Sequence, residues 1–271
     1  MARQIGHRVA DGPVVAVVTG AGRGLGAALV ERLRASGYDV IATDVSGTDV
    51  HLDVRDADAC RALARAAQPD VWINNAGILG AGDAATQSDD AIESVVAVNL
   101  LGVIHGTRAA VEVMRERGGG RGHGHVINVG SLASWVPVPG ECVYAATKAG
   151  VLSFTLGLEG ELRAQGVTGI RFTVLCPDGM LTPMITEVID DPAVAMTFTG
   201  LRPVTAEEVA EAAVRALRRP RRVVSVPHWR GAQVRLISAV PDLVLRAAPL
   251  FTRLGRAQQD RLRRALGSAP R

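Results

Sequence analysis

The sequence predicts an α/β protein: a single doubly wound parallel sheet with helices on both faces and a helical extension at the carboxyl end. Three observations carry that expectation. Short apolar runs alternate with helical patterns over most of the chain. A glycine-rich turn joins the first run to the first helix. From residue 233 onward the composition changes to arginine among scattered leucines. At 271 residues, 48% apolar and 21% charged, the chain is long enough for one large domain and apolar enough to fill its core. Aromatic residues make up only 3% and offer no stacking platform for single-stranded nucleic acid. The formal charge of +3 is local, with Arg218, Arg219, Arg221 and Arg222 around Pro220 reading as solvated charges on a helix end, so no nucleic-acid partner is expected.

Residues 14–18 form a compact apolar run suited to a buried parallel strand. The glycine-rich stretch follows, then a helical pattern through Leu29, Val30 and Leu33 to Gly37. A second strand is expected at 39–45, a third near 51–54, a helix around 57–67 and a strand at 70–74. One or two long helices run from about 89 to 117, followed by a Gly-rich connection and a strand at 125–129. A helix at 143–165 and a strand at 171–175 come next, then an irregular stretch to about 203, a helix at 206–218 and a short strand at 223–226. Strands separated by helices imply right-handed crossovers. A single α/β domain is therefore expected over residues 1–232, with 233–271 as a basic amphipathic helical extension.

Thr19-Gly20-Ala21-Gly22-Arg23-Gly24-Leu25-Gly26 lies between the first strand and first helix. Glycine there lets the backbone turn sharply and approach a pyrophosphate, whose charge the helix amino end stabilises. An ordinary strand-to-helix turn also favours glycine, and the spacing is T-G-x-x-x-G-x-G rather than the strict G-x-G-x-x-G. Its place after the first strand favours a Rossmann-type nucleotide site. Asp44 closes the second strand, where a carboxylate would accept both ribose hydroxyls and repel a 2′-phosphate. Arg23 pulls toward that phosphate. Asp44 is weighed above it, so NAD is expected ahead of NADP.

Tyr144 and Lys148 are four residues apart and share one helical face. A phenol of ordinary pKa near 10 is a poor base. A neighbouring ammonium and a cationic nicotinamide are expected to lower it toward 7, a change of roughly 4 kcal/mol. Ser131 follows a strand at the carboxyl edge of the sheet, with a hydroxyl to offer a substrate oxygen. Asn99 lies within a helix, a poor place for Asn without a task. Taken singly, these read as an exposed helix face, a capping serine and a helix-bending asparagine.

Together they resemble the short-chain dehydrogenase/reductase family in its compact, single-domain branch. The resemblance runs in order from Thr19–Gly26 through Asp44, Asp53-Val54, Asn74-Asn75-Ala76-Gly77, Asn99 and Ser131 to Tyr144 and Lys148. It implies an NAD(P)-dependent oxidoreductase acting on CH–OH groups. Gly20, Gly24, Leu25 and Gly26 would hold the cofactor, Asp53 and Val54 would flank the adenine, and Asn75, Ala76 and Gly77 would lie against it. Ser131 would orient the substrate oxygen, Tyr144 would exchange its proton, and Lys148 would bind the nicotinamide ribose. Asn99 would hold a water of the proton relay, and Thr182 would contact the carboxamide. Where the family usually reads Pro-Gly, this chain has Pro177-Asp178-Gly179, and the Asp178 carboxylate is expected to face the nicotinamide end. Val136, Pro137, Val138, Pro139 and residues 180–196 would border the substrate, implying an apolar alcohol or ketone.

A non-catalytic nucleotide-binding or lipid-surface protein on the same fold would need the glycine loop but not Ser131, Tyr144 and Lys148 together. No metal site is expected: His123 and His125 read as an exposed linker and a strand start. Cys60, Cys142 and Cys176 are isolated thiols, and Arg3, His7, Arg8 and Asp11 interrupt the amino-terminal stretch, so a reducing, cytoplasmic setting without a secretory signal is expected. No apolar run of about 18 residues is seen, so no membrane span is expected. A homodimer or homotetramer is expected through the helices bearing Asn99 and the small residues of 145–157. In the extension, Pro241 and Pro249 are expected to break the chain into short helices. Those helices either pack on a subunit or lie peripherally on an anionic membrane.

Overall fold

A computed structural model describes residues 13–200 and 202–267; the amino-terminal stretch, read above for a secretory signal, lies outside them. The strands are β1 (Val14–Thr19), β2 (Tyr38–Asp44), β3 (Val50–His51), β4 (Val71–Asn74), β5 (Gly124–Val129), β6 (Ile170–Pro177) and β7 (Val223–Val226). They form one sheet in the order β3-β2-β1-β4-β5-β6-β7, with every pairing parallel. Between them run α1 (Gly24–Arg34), α2 (Ala57–Ala67), α3 (Asp89–Val96), α4 (Gly102–Arg115), α5 (Cys142–Ala164), α6 (Pro183–Thr186) and α7 (Ala206–Arg218), with α8 (His228–Ser238) and α9 (Pro241–Ala265) closing the chain.

Successive strand side chains face opposite layers. Ala16, Val18, Ile73 and Ile127 pack with α1 and α7, whereas Val17, Trp72, Val126 and Phe172 pack with α2 and α4. Covering both faces makes these strands read as continuous apolar runs. Strand order reverses at β1, so the crevice beyond the carboxyl ends of β1 and β4 is the topological switch point where such sheets bind ligands.

From Asp89 to Arg115 the helix is continuous, passing through one wide π turn at Ala97–Leu101. Contrary to the sequence expectation, this run is long and apolar enough to cross a membrane by length and composition. Half of its most apolar window is buried inside the protein, however. Ala109, Ala110, Val111, Val113 and Met114 belong to the core beneath the sheet, which accounts for its hydropathy.

Two boundaries differ from expectation. The third strand stops at His51, and Asp53 and Val54 lie in the turn beyond it, where Asp53 Oδ1 accepts the Arg55 N–H at 3.0 Å. Helix α9 runs unbroken through Pro249. A proline inside a helix costs about 3 kcal/mol, and anchoring on the inner face opposes that cost. Val244 and Ala248 are buried, and Gln259 Nε2 donates to the Ile189 and Asp191 carbonyls at 2.7 and 2.8 Å. Pro241 opens the helix instead of breaking it, as proline in a first turn does. Helix α8 also straddles the boundary drawn between residues 232 and 233.

Candidate active site

The glycine loop follows β1. Gly20 and Gly24 have φ of +65° and +57°, where a side chain is strained, and a Cβ on Gly26 would stand 1.9 Å from the Gly20 carbonyl oxygen. Neighbouring loops fix its shape. Asp44 Oδ2 accepts the Gly22 N–H at 2.9 Å, and Asn75 Nδ2 donates to the Thr19 and Gly20 carbonyls at 3.0 and 2.9 Å. The Thr19 hydroxyl accepts the N–H groups of Asn75 and Ala76 at 3.1 and 3.2 Å. At the amino end of α1, Arg23 occupies the capping position without a side-chain cap, and Leu25 and Gly26 are buried beneath it. The first-turn N–H groups of α1 are thus left to an anion, which fits a dinucleotide pyrophosphate.

The Arg23 guanidinium is paired with Glu187 at the surface. Asp53 is tied to Arg55 in an exposed ion pair, which holds its carboxyl below the usual range. Val54 is buried against Gly102 of α4. Gly77 lies beside Asn99 and Lys148, whose side-chain atoms would be 3.3 and 3.8 Å from a Cβ placed there.

Asn99 is fully buried in the π turn, a local widening common at functional sites. Its amide grips the Ile78 backbone at both ends, Nδ2 donating to the carbonyl and Oδ1 accepting the N–H, each at 2.8 Å. Ser131 caps the short turn Leu132–Ser134 through the Ala133 N–H at 3.1 Å, and its hydroxyl also faces Tyr144. Lys148 is buried with Nζ 5.6 Å from the centre of the Tyr144 ring, and it donates to the Val129 carbonyl at 2.9 Å. Two of its protons remain for other acceptors. Burial brings the Lys148 ammonium down to about 8.

The lowering of the phenol expected above includes a cationic nicotinamide. In the protein alone the Tyr144 phenol is shifted upward, not toward neutrality. Burial contributes most and Glu141 adds to it, while the hydrogen bond from Ser131 opposes. The protein by itself therefore keeps this group as an acid.

Above Tyr144 lies a cavity of about 170 Å³. Val136, Pro137, Val138, Met180, Met184 and Met196 line it as expected; Pro139 does not. Pro177 and Thr182 also reach it, and Thr182 sits against Gly24 of the cofactor loop. Val234 and Ile237 of α8 and Val244 and Phe251 of α9 complete the wall. Asp178 lines the same cavity, where it is engaged by Arg230 of α8. Arg230 Nε meets its Oδ2 at 3.3 Å, while the same guanidinium donates to Thr199 and Gln233 at 3.0 and 2.7 Å. Burial raises the Asp178 carboxyl, and Arg230 partly offsets the rise.

The short chain dehydrogenase family model matches residues 14–193. The chain belongs to the short-chain dehydrogenase family. "3beta-hydroxysteroid dehydrogenase 1" of Eggerthella lenta is 34% identical over 226 residues, covering 73% of this chain and 84% of that protein. "Probable oxidoreductase EphD" of Mycobacterium tuberculosis is 33% identical over 188 residues, or 61% of this chain, and the match spans only 31% of that longer protein. Among solved structures, a short chain dehydrogenase/reductase from Burkholderia phymatum in complex with NAD superposes with a TM-score of 0.70 at 26% identity, covering 83% of this chain and 92% of that one. A short chain dehydrogenase from Burkholderia cenocepacia in complex with NADP gives 0.70 at 26%, covering 87% and 96%.

Three features escaped the sequence reading. Trp72, Asn74, Thr107, Asn128 and Thr155 form a buried hydrogen-bonded chain behind the sheet edge. Alternation on neighbouring strands is the only sequence signal for it. Glu141, buried in the cavity wall, lies three residues before Tyr144 and was legible as its helical neighbour. Arg230 left no local signal. His125 is the second residue of β5 and is buried, with Nε2 2.9 Å from the Thr173 hydroxyl, and among the described residues no cluster of His, Cys, Asp and Glu suits a metal.

Proposed function

We propose that this protein interconverts an apolar secondary alcohol and its ketone with a nicotinamide cofactor, NAD ahead of NADP. The observation that carries the reading is the placement of Ser131 and Tyr144 in the wall of an apolar cavity, with Lys148 buried beside the Tyr144 ring and Thr182 of the wall packed on Gly24 at the uncapped amino end of α1. Bound at the switch point, the nicotinamide supplies or accepts the hydride. Ser131 donates a hydrogen bond to the substrate oxygen. Tyr144, protonated in the protein alone, gives its proton to the ketone oxygen during reduction. In oxidation the same oxygen must become a phenolate, and Lys148 with a cationic partner favours that form. Lys148 also offers its spare protons to the ribose, and Asn99 keeps the loop of Ile78 in place beside a relay water.

Support for NAD comes from Asp44, which closes β2 beside Gly22, and from the engagement of Arg23 by Glu187. The E. lenta relative's name, a hydroxysteroid dehydrogenase, agrees with an apolar alcohol. Free thiols at Cys60, Cys142 and Cys176 support a reducing, cytoplasmic setting. Pairing of subunits is proposed through α4 and α5, where Ala146, Ala149, Gly157 and Gly160 are exposed. Contact of α9 with an anionic membrane surface is proposed as a secondary property, resting on exposed Leu243, Leu250 and Leu254 beside Arg246 and Arg253. Steady-state kinetics with both cofactors over a panel of lipophilic secondary alcohols test the reading. NAD should give the higher kcat/KM, and Asp44→Ala should reduce the preference by about tenfold, the size of one lost charge contact. Wild-type preference for NADP would overturn the cofactor assignment, and absence of turnover across the panel would overturn the activity.

A further inference from the structure

The cavity wall holds two carboxyl groups, Asp178 and Glu141, in different circumstances. Asp178 has a guanidinium, that of Arg230, beside it. Glu141 has no cation beside it among the described residues. Its Oε1 accepts the Thr197 hydroxyl, and Oε2 takes no hydrogen bond from the described residues. Glu141 is only 3% exposed, yet Oε2 is not among the enclosed polar atoms lacking a partner, so it opens on the cavity. The residue occupies the capping position of α5, where an acid ordinarily turns back to the helix N–H groups, but it makes no such bond. Thr197 holds it in that pose from the turn Pro192–Phe198, the element on which α9 packs. Burial pushes this carboxyl up to about 7, opposed only in part by the Thr197 hydrogen bond and by no cation of the described residues. Pockets for small molecules are apolar with a few placed polar groups that fix orientation, and a buried acceptor left empty costs free energy.

We infer that Glu141 is a substrate anchor, whose Oε2 accepts a hydrogen bond from a donor group on the substrate remote from the reacting carbon. The substrate class is thereby narrowed to apolar ketones or alcohols bearing a second hydroxyl or a protonated amine. The inference rests on the oxidoreductase reading above. A site built around a buried acceptor discriminates against analogues lacking the donor far more strongly than an apolar wall selects among hydrocarbons.

Three matched probes test this on the full chain: cyclohexanones carrying at C4 a methyl, a hydroxyl or a dimethylamino group. In wild type, kcat/KM for a donor-bearing ketone should exceed that for the methyl ketone by about tenfold or more, and Glu141→Leu should abolish that ratio. Glu141→Gln should keep discrimination for the hydroxyl and lose it for the amine, and whichever donor wild type prefers names the group. A ratio that survives Glu141→Leu, or a wild-type preference for the methyl ketone, overturns the anchor. If no probe turns over with NADH or NADPH, the oxidoreductase reading falls separately. Titration calorimetry with the same probes then decides the anchor: tighter binding of donor probes to wild type than to Glu141→Leu upholds it, while equal or absent binding refutes it. If Glu141→Leu fails to fold, the hydroxyl-against-amine split of Glu141→Gln gives the same decision.

Discussion

The glycine loop after β1 and the wall that α8 and α9 give to the cavity of Tyr144 are held by different kinds of contact. In the loop, backbone meets backbone or a short polar side chain: Gly26 against Gly20, Asp44 on the Gly22 N–H, Asn75 on the Gly20 carbonyl. Such approaches admit few residue types, since a single Cβ would close the gap. In the wall, side chain meets side chain: Arg230 on Asp178, Thr199 and Gln233, with Val234, Ile237 and Phe251 filling in. Contacts of that kind are exchangeable as sets. The first region is therefore the less exchangeable of the two and the second the more readily altered.

The largest expected effect falls between the two regions. Tyr144→Phe removes only the proton-transfer oxygen and should lower kcat by about 10³-fold, within the usual range for a general acid–base group, with the melting temperature nearly unchanged. Retention of near-normal kcat would show that neither region serves this residue. Next in size, Arg230→Ala leaves the Asp178 carboxyl in the cavity wall without its guanidinium and should cost about 3 kcal/mol of stability by denaturant melts. Arg230→Ala combined with Asp178→Gly, which restores the family's usual glycine, should recover most of that loss. Additive losses in the double variant would break the idea that these residues are exchanged as a set.

The smallest effect lies away from both regions, at His125. Burial, assisted by the charge of Arg171, lowers this imidazole to about 3. The unfolded chain, with an ordinary histidine near 6.5, then binds more protons below that value, so the contribution of His125 to stability falls as pH drops from 6.5 toward 3. By pH 5 the loss is about 2 kcal/mol. Glu141 works in the opposite sense. Its carboxyl is raised to about 7, so its burial destabilises as pH climbs from its unfolded value and that cost is relieved on acidification. The total pH profile is thus flattened, and the His125 contribution is read as the difference between wild type and His125→Gln. Wild type should lose about 2 kcal/mol relative to that variant between pH 7 and pH 5. Parallel profiles would mean that His125 is not held neutral.

Much of the site was legible because its residues are tied to local patterns. The apolar runs announced β1, β4 and β5, the spacing of Tyr144 and Lys148 put both on one face of α5, and Asp44 fell at the end of β2. The bounds of α2, α7 and β7 also follow from local capping and periodicity: Asp56 and Thr205 cap the two helices. Pro249 was misread because a local rule against proline in helices cannot see the anchoring of α9 by Gln259 and its buried inner face. The upward shift of Tyr144 was missed for a similar reason, since motif spacing locates charges but does not measure how much water the fold removes from a phenol.

Glycine spacing, strand alternation and the Tyr-Lys interval act over a few residues, so the sequence by itself determined the sheet, the glycine turn after β1 and the shared helical face of Tyr144 and Lys148. Whether Arg23 is free or held by Glu187, whether Asp178 stands alone or beside Arg230, and whether Glu141 caps a helix or faces a cavity were decided only by the tertiary structure. Each depends on which side chains far apart in the chain arrive at the same point, and on the desolvation that follows when they do.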